Sequence, residues 1–321
     1  MLTHLAPLIQ KTGSTLSPEE FHEKVNIVFH NFESEQYDHL HQNMWQSLQE
    51  QVDLLVNDLP HIPEKGLKLL DIGCGTGLST KLILDSKIGP AVALATLLDT
   101  SPQMLKQAEK KASGWNVPYT LVNGHLHSVD EKFDIIIICS VLHHIPELAV
   151  FLKEVEQKLN ADGILIHLQD PNFDFLQDII YLENKNEYRK HLNSKKKKFR
   201  SSNLVPKKLK RTLKRWLGRY DYIDKINNQL LRENIIKKRM SADDLWSVTD
   251  LHVETNEVTK GISLSFLKFQ LTGFNLINIR SYGFYGFLKS ELSDAYREKE
   301  EKYISENHKN GRFLSGIWIK K

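Results

Sequence analysis

The stretch that most constrains this chain runs Leu67-Lys-Leu-Leu-Asp71-Ile-Gly73-Cys74-Gly75-Thr-Gly77-Leu-Ser-Thr80. It reads as a short buried strand, a glycine turn and the start of a helix. Glycines at every second position let the backbone approach a ligand closely and take angles that a side chain forbids. The helix start beyond them offers unpaired N–H groups to an anion. Asp71 is the odd member, a carboxylate closing an otherwise apolar strand, where burial is costly without a partner. The dinucleotide fingerprint G-x-G-x-x-G places its last glycine three positions on. Here the third glycine comes one position early and an acid precedes the turn. A ligand with an ammonium or other cation near Asp71 suits this better than a pyrophosphate.

On these residues the chain resembles the class I S-adenosylmethionine (SAM)-dependent methyltransferases, whose first motif runs E/D-x-G-x-G-x-G. The resemblance implies SAM as cofactor and S-adenosylhomocysteine as product, with Asp71, Gly73, Cys74, Gly75 and Gly77 around it. Ala91 to Leu98 is an apolar run without alternation, as a strand buried on both faces should be. It ends in Asp99-Thr-Ser101-Pro102, and Ser101 and Pro102 cap a helix through Ala112. An acid at this strand tip can accept both ribose hydroxyls; a plain helix N-terminal carboxylate is the alternative. The resemblance places Thr100 and Met104 on the adenine side. After a third strand, Tyr119 to Val122, His125 stands where the family usually has an Asp that accepts from the adenine amino group. His125 can bond or stack there, or the neighbouring backbone at Leu126 can do the reading. The same resemblance puts Cys139 and the N-terminal Tyr37 against the cofactor, although a core contact serves Tyr37 equally well.

Phe133 to Cys139 is a fourth strand, and Ser140-Val-Leu-His143-His144-Ile-Pro146 leads from it into a helix from Glu147 to Leu159. The C-terminal end of this strand is where ligand and acceptor meet in a doubly wound sheet. The small-molecule branch of the family shows a similar "-LHH-I-P" stretch, and it includes the quinone-pathway (ubiquinone/menaquinone-type) methyltransferases. His143 and His144 are candidate general bases, since histidine titrates near neutral pH; orienting the loop by hydrogen bonds is the other reading. Metal binding is not expected, because adjacent histidines point in different directions and no acidic triad accompanies them. Ala161-Asp-Gly163 reads as a turn before a fifth strand from Ile164, whose tip, Gln169 and Asp170, is expected to face the same crevice. Ser281-Tyr-Gly-Phe-Tyr285-Gly-Phe287 is an aromatic loop, either an acceptor wall with Tyr285 as a further candidate base or ordinary core.

Around this core the chain divides into an N-terminal helical cap (1–60), a SAM-binding core (61–171), a basic helical insertion (172–264) and C-terminal strands completing the core (265–321). Ser17-Pro-Glu-Glu20 starts a helix with a capping box. A second helix over Glu35 to Leu59 carries an apolar stripe of Tyr37, Leu40, Met44, Leu48, Val52 and Leu55. Both are expected to cover the mouth of the SAM site. Between Lys195 and Arg219 there are twelve Lys and Arg and no acid, which leaves 31 basic against 40 acidic residues elsewhere. Leu209, Leu213, Trp216 and Leu217 line one face of that segment. Such a helix can lie on an anionic membrane, bind an acidic ligand, contact RNA phosphates, or simply pack on the acidic core. The two cysteines, Cys74 and Cys139, make neither a disulfide framework nor metal-ligand spacing, which suits a reducing cytoplasm. The start of the chain has no signal-peptide pattern, and the longest apolar run, Ile135 to Leu142, is far too short to cross a bilayer.

The expected fold is α/β: a doubly wound, seven-stranded, Rossmann-like methyltransferase sheet, the last strand antiparallel, with N-terminal helices and a helical lid. The expected activity is methyl transfer from SAM to a small-molecule acceptor. Nucleic acid is a weaker partner, since Cys139-Ser-Val-Leu replaces the N/D-P-P-Y/F motif of the enzymes that methylate base amino groups. An RNA methyltransferase and a non-catalytic SAM-binding protein on membranes are the alternatives. Oligomeric state is not legible.

Overall fold

The computed structural model describes residues 2–34, 37–40, 42–62, 66–196, 222–252 and 261–321. The basic amphipathic segment, from residue 197 onward, lies outside them. In chain order the elements are α1 (Ala6–Thr12), α2 (Pro18–Glu33), α3 (Tyr37–Leu40), α4 (Gln42–Asn57), β1 (Leu67–Ile72), α5 (Leu78–Leu84), β2 (Val92–Asp99), α6 (Pro102–Ala112), β3 (Tyr119–Asn123), β4 (Phe133–Cys139), α7 (Leu148–Lys158), β5 (Leu159–Pro171), α8 (Ile179–Lys196), α9 (Tyr222–Arg232), α10 (Ala242–Thr249), α11 (Leu264–Gln270), β6 (Phe274–Tyr282), α12 (Asp294–Ser305) and β7 (Phe313–Lys320).

One seven-stranded sheet runs β3-β2-β1-β4-β5-β7-β6. The first five strands pair in parallel, and β7 lies antiparallel between β5 and β6. Successive side chains point to opposite faces of a strand, so the isoleucine run of β4 feeds both cores. Ile135 and Ile137 join Leu69 of β1 on one face, under Leu48, Val52 and Leu55 of α4 and Leu82 and Ile83 of α5. Ile136 and Ile138 join Leu70 on the other, under Leu148, Leu152 and Val155 of α7. Each such fully buried side chain contributes about 1.5–3 kcal/mol. Within β5 the expected turn at Ala161-Asp-Gly163 is a break in register, the partners stepping from Leu159 to Ile164 as β4 steps from Phe133 to Ile135, with Asp162 taking a φ of 57°.

The two flanking regions each split between two bodies. α2 starts at the Ser17 capping box, with Ser17 Oγ accepting from the Glu20 N–H at 3.2 Å. Its Phe21, Val25, Val28 and Phe29 pack with Ile226, Leu230, Leu245 and Val248 of α9 and α10 in a third hydrophobic cluster. This helical body draws on both the N-terminus and the insertion. The expected single helix over 35–59 is instead α3 and α4, and the stripe from Met44 to Leu55 packs on the sheet, with Met44 at its start also lining a small cavity beside the glycine turn. The insertion divides in the same way, because α8 carries Tyr188 against Tyr285, Phe287 and Tyr296 at the other side of the sheet. Its roots close at a bridge between Asn172 and Ile262. No helix of the described residues is long and apolar enough to cross a membrane.

Candidate functional site

Beyond the C-terminal ends of β1, β2 and β4 lies a cavity of about 710 Å³, lined on its far side by α2. At one end the glycine turn is tied to β2: the Gly73 and Cys74 N–H groups both donate to the Leu98 carbonyl, at 2.8 and 3.0 Å. Gly73 takes a φ of +66°, and a Cβ there would stand 2.4 Å from Val141 Cγ2. Gly75, at φ +51°, has nothing within 4 Å of where its Cβ would be, so the backbone there faces open space. Its N–H donates to Asp99 Oδ2, and Asp99 Oδ1 accepts from the Ser101 N–H, both at 2.8 Å. Burial pushes the Asp99 carboxyl up, and those two N–H groups pull against it. Thr100, Met104, His125, Leu126, Cys139 and Tyr37 complete this end of the wall. His125 is half exposed and faces Glu23 Oε1 of α2 at 3.0 Å. A small adjoining cavity shares Tyr37, Gly73, Gly75, Cys139 and Ser140 with the large one and adds Cys74, Thr76, Ser79 and, from α4, Met44 and Trp45.

Asp71 is not part of either wall. It is fully buried, and its Oδ2 accepts from Ser79 Oγ, the Thr80 N–H and Thr80 Oγ1 at 2.6, 2.9 and 2.7 Å. It therefore clamps the first turn of α5 and sets the turn that the glycines make. Burial pushes its carboxyl up to about 6, and Oδ1 has no hydrogen-bond partner among the described residues. Gly77 also lies behind the wall, against Ala108 and Leu97.

The opposite end is built by histidines. His143 and His144 sit on a short 3₁₀ turn after β4, their ring centroids 4.0 Å apart. His143 Nδ1 lies 3.0 Å from Oδ1 of the fully buried Asp170, which also accepts the His143 backbone N–H at 3.3 Å. His144 Nδ1 lies 2.6 Å from the Thr249 carbonyl and 3.5 Å from Asp250 Oδ1. His22 and His30 of α2 also line this end, and the His30 ring meets that of His144 edge-on at 5.4 Å. Burial pushes His143 down to about 3 and His144 well below its ordinary value, so both are neutral at pH 7. Burial likewise drives the Asp170 carboxyl up. Phe29, Val150, Phe151 and Trp246 make the remaining wall apolar.

Three expectations about the acceptor end need correction. Tyr285 is not at the cavity: it is 1% exposed and packs its ring on Tyr188 and Tyr296, at centroid distances of 6.2 and 5.2 Å. Gln169 turns away to accept from the Tyr282 hydroxyl at 2.6 Å, and Asp170 lies behind His143. The two histidines do have an acid beside them, Asp250, more than a hundred residues further along the chain. The sequence carries no signal for it, because an acid at the end of a helix is ordinary. His22 and His30 were missed for a similar reason, as both fall inside a helix whose periodicity marks only its apolar face.

The polar groups at the first end fit a SAM molecule: a glycine backbone facing open space at Gly75, and beside it a carboxylate, Asp99, reaching the cavity from the second strand tip. Residues 70–167 match the family described as a methyltransferase domain. Over 102 residues the chain is 33% identical to the demethylmenaquinone methyltransferase of Tropheryma whipplei (strain Twist), covering 32% of this chain and 41% of that one. Over 122 residues it is 30% identical to the ubiquinone biosynthesis O-methyltransferase of Azorhizobium caulinodans, covering 36% and 46%. Over 99 residues it is 29% identical to the malonyl-[acyl-carrier protein] O-methyltransferase of Acetivibrio thermocellus, covering 31% and 34%. The chain spans less than half the length of these curated relatives. The matched segment, from within β1 through most of β5, is similar to a methyltransferase domain. SAM is the cofactor that its glycine turn and Asp99 suit.

Proposed function

We propose that this chain transfers a methyl group from SAM to a small-molecule acceptor held between His143, His144 and α2. The observation that carries this reading is the continuity of one cavity from Gly75 and Asp99 to the histidine end. Its volume falls within the roughly 300–1,000 Å³ usual for small-molecule sites. When bound, SAM supplies a methyl on a sulfonium sulfur: the acceptor–carbon bond forms as the carbon–sulfur bond breaks, and the electron pair stays on sulfur. Asp99 would accept from the ribose, with Thr100, Met104, His125 and Leu126 around the adenine. Gly73, Gly75, Cys139 and Tyr37 would flank the methionine part, and Cys74 would reach it through the small adjoining cavity. Asp71 and Gly77 would act by shaping the turn.

The chain's own contribution is alignment of the two reactants and exclusion of water, which can supply much of the rate. His143 and His144 would accept hydrogen bonds from the acceptor. A histidine pushed down to about 3 is a weak base, so orientation suits it better than deprotonation. The apolar wall of Phe29, Val150, Phe151 and Trp246 favours an acceptor with an apolar portion.

Transfer of radiolabelled methyl from SAM into a cell extract, separated into lipid, small-molecule, RNA and protein pools, tests the reading. Label in the lipid or small-molecule pool is expected, and label confined to RNA or protein would overturn the acceptor class. Gly75→Ala should abolish the label, because the new Cβ enters ligand space and not protein. Intact transfer by that variant would refute the role given to the turn.

A further inference from the structure

We propose that His143, His144 and Asp250 bind one divalent transition-metal ion at the acceptor end of the cavity. A ring nitrogen of each histidine and a carboxylate oxygen of Asp250 lie within 4.8 Å of one another, and all three residues line the cavity. Donors at the usual 2.0–2.2 Å from one ion stand about 3–3.5 Å apart. The one printed approach of Asp250, 3.5 Å from its Oδ1 to His144 Nδ1, is to the nitrogen that faces Thr249, so side-chain movement of roughly one to two ångströms is needed to bring the three to coordination. Two imidazoles and a carboxylate form a donor set that suits iron, nickel or zinc and leaves further positions open. Here those positions would face the cavity.

The surroundings match what ligating histidines require. Such histidines nearly always give their second nitrogen to a carboxylate or carbonyl, which fixes tautomer and ring orientation. His143 has Asp170 at Nδ1 and His144 has the Thr249 carbonyl at Nδ1, at 3.0 and 2.6 Å. Among the described residues neither Nε2 has a hydrogen-bond partner, so a lone pair is left on each. α10 brings Asp250 to the pair, so the ion would also tie the helical body to the sheet.

The ion's part in the reaction rests on the methyl-transfer reading above. With the ion in place, it and not the two imidazoles would hold the acceptor; an acceptor carrying an ionisable oxygen would be bound there in its deprotonated form.

The test uses the full-length protein stripped with chelator and titrated with Co²⁺, read by visible absorption and by metal analysis. One equivalent with ligand-field bands is expected for the unaltered chain and for His308→Ala, an exposed histidine elsewhere. Asp250→Asn and His144→Ala should lose the bands and weaken binding at least tenfold. Binding of S-adenosylhomocysteine, measured on the same samples, reports whether each variant is folded and whether the cofactor reading stands. Failure to take up Co²⁺ with S-adenosylhomocysteine binding intact would overturn the metal site alone. Uptake unchanged in Asp250→Asn would overturn it equally. Loss of S-adenosylhomocysteine binding by the unaltered chain would instead overturn the methyltransferase reading and leave the metal result to stand by itself.

Discussion

The two ends of the cavity are made in opposite ways. At the glycine end, the turn after β1 and the acid after β2 lie about 25 residues apart, and adjacent parallel strands bring them together. At the histidine end, α2, the turn after β4 and the end of α10 come from three distant stretches of chain. The glycine end is held by local bonds, backbone N–H groups donating to the Leu98 carbonyl and to the carboxylates of Asp99 and Asp71 at the two strand ends. The histidine end is held by side chains in a low-dielectric setting, where each polar group needs a particular partner. Cofactor chemistry that stays constant can sit on the first kind of site, and acceptor choice can vary on the second.

The sharpest way to break this comparison is Asp99→Asn. Removing the charge from the carboxylate proposed to meet the ribose should weaken S-adenosylhomocysteine binding by about 3 kcal/mol, or about 100-fold in Kd. His143→Gln should leave that Kd nearly unchanged, and titration calorimetry reads both. An equal loss in the two variants would mean that the ends are coupled.

A second, smaller effect is a difference in pH slope. Asp71 stands at about 6 in the folded chain against an ordinary 3.8. The folded state thus holds the extra proton, and this contribution to stability is lost as pH rises from about 4 through 6. His143 stands at about 3 against 6.5, so there the unfolded state holds the extra proton. That contribution is complete above pH 6.5 and fades as pH falls towards 3. Melting temperatures between pH 4 and 7 should therefore show Asp71→Asn gaining on the unaltered chain as pH rises and His143→Gln falling behind. Each change is on the order of 2 kcal/mol. Slopes of the same sign would refute the contrast.

The smallest effect concerns the element that spans both ends. Ser17→Ala removes the N-cap of α2 and should cost about 1 kcal/mol, or about 2 °C in Tm. It should raise the KM for the acceptor more than that for SAM, because His22 and His30 ride on this helix. Steady-state kinetics would show the split.

What was legible follows the same division. The sheet could be read because each strand of the parallel core is a run of apolar residues between turn signals, and β4 falls where Phe133 to Cys139 placed it. The Ser17 and Ser101 caps could be read because capping is a local exchange between residues three apart. Tyr285 could not be placed, since an aromatic loop packs equally well on a ligand or on other rings. Here Tyr188 and Tyr296 supply the rings. How α4 divides between the sheet, which takes most of its stripe, and the small cavity, which Met44 reaches, could not be read, because periodicity gives the width of an apolar stripe and not the surface that it meets. Asp250 was invisible because a side chain's partner across the fold leaves no trace in its own neighbourhood.

The position of β7 has a consequence for how the chain acquires its shape. The last strand in sequence lies inside the sheet, paired with β5 on one side and β6 on the other. Until Phe313–Lys320 has docked, β5 presents an open edge of Ile164, Leu165 and Ile166, and β6 has no neighbour. Pairings of such long sequence separation form slowly, and open apolar edges invite other chains. A chain in which Phe313–Lys320 is missing or undocked is thus expected to hold a nearly complete parallel half that is prone to aggregate. Closure of the sheet by this single strand becomes the late event on which a soluble yield depends.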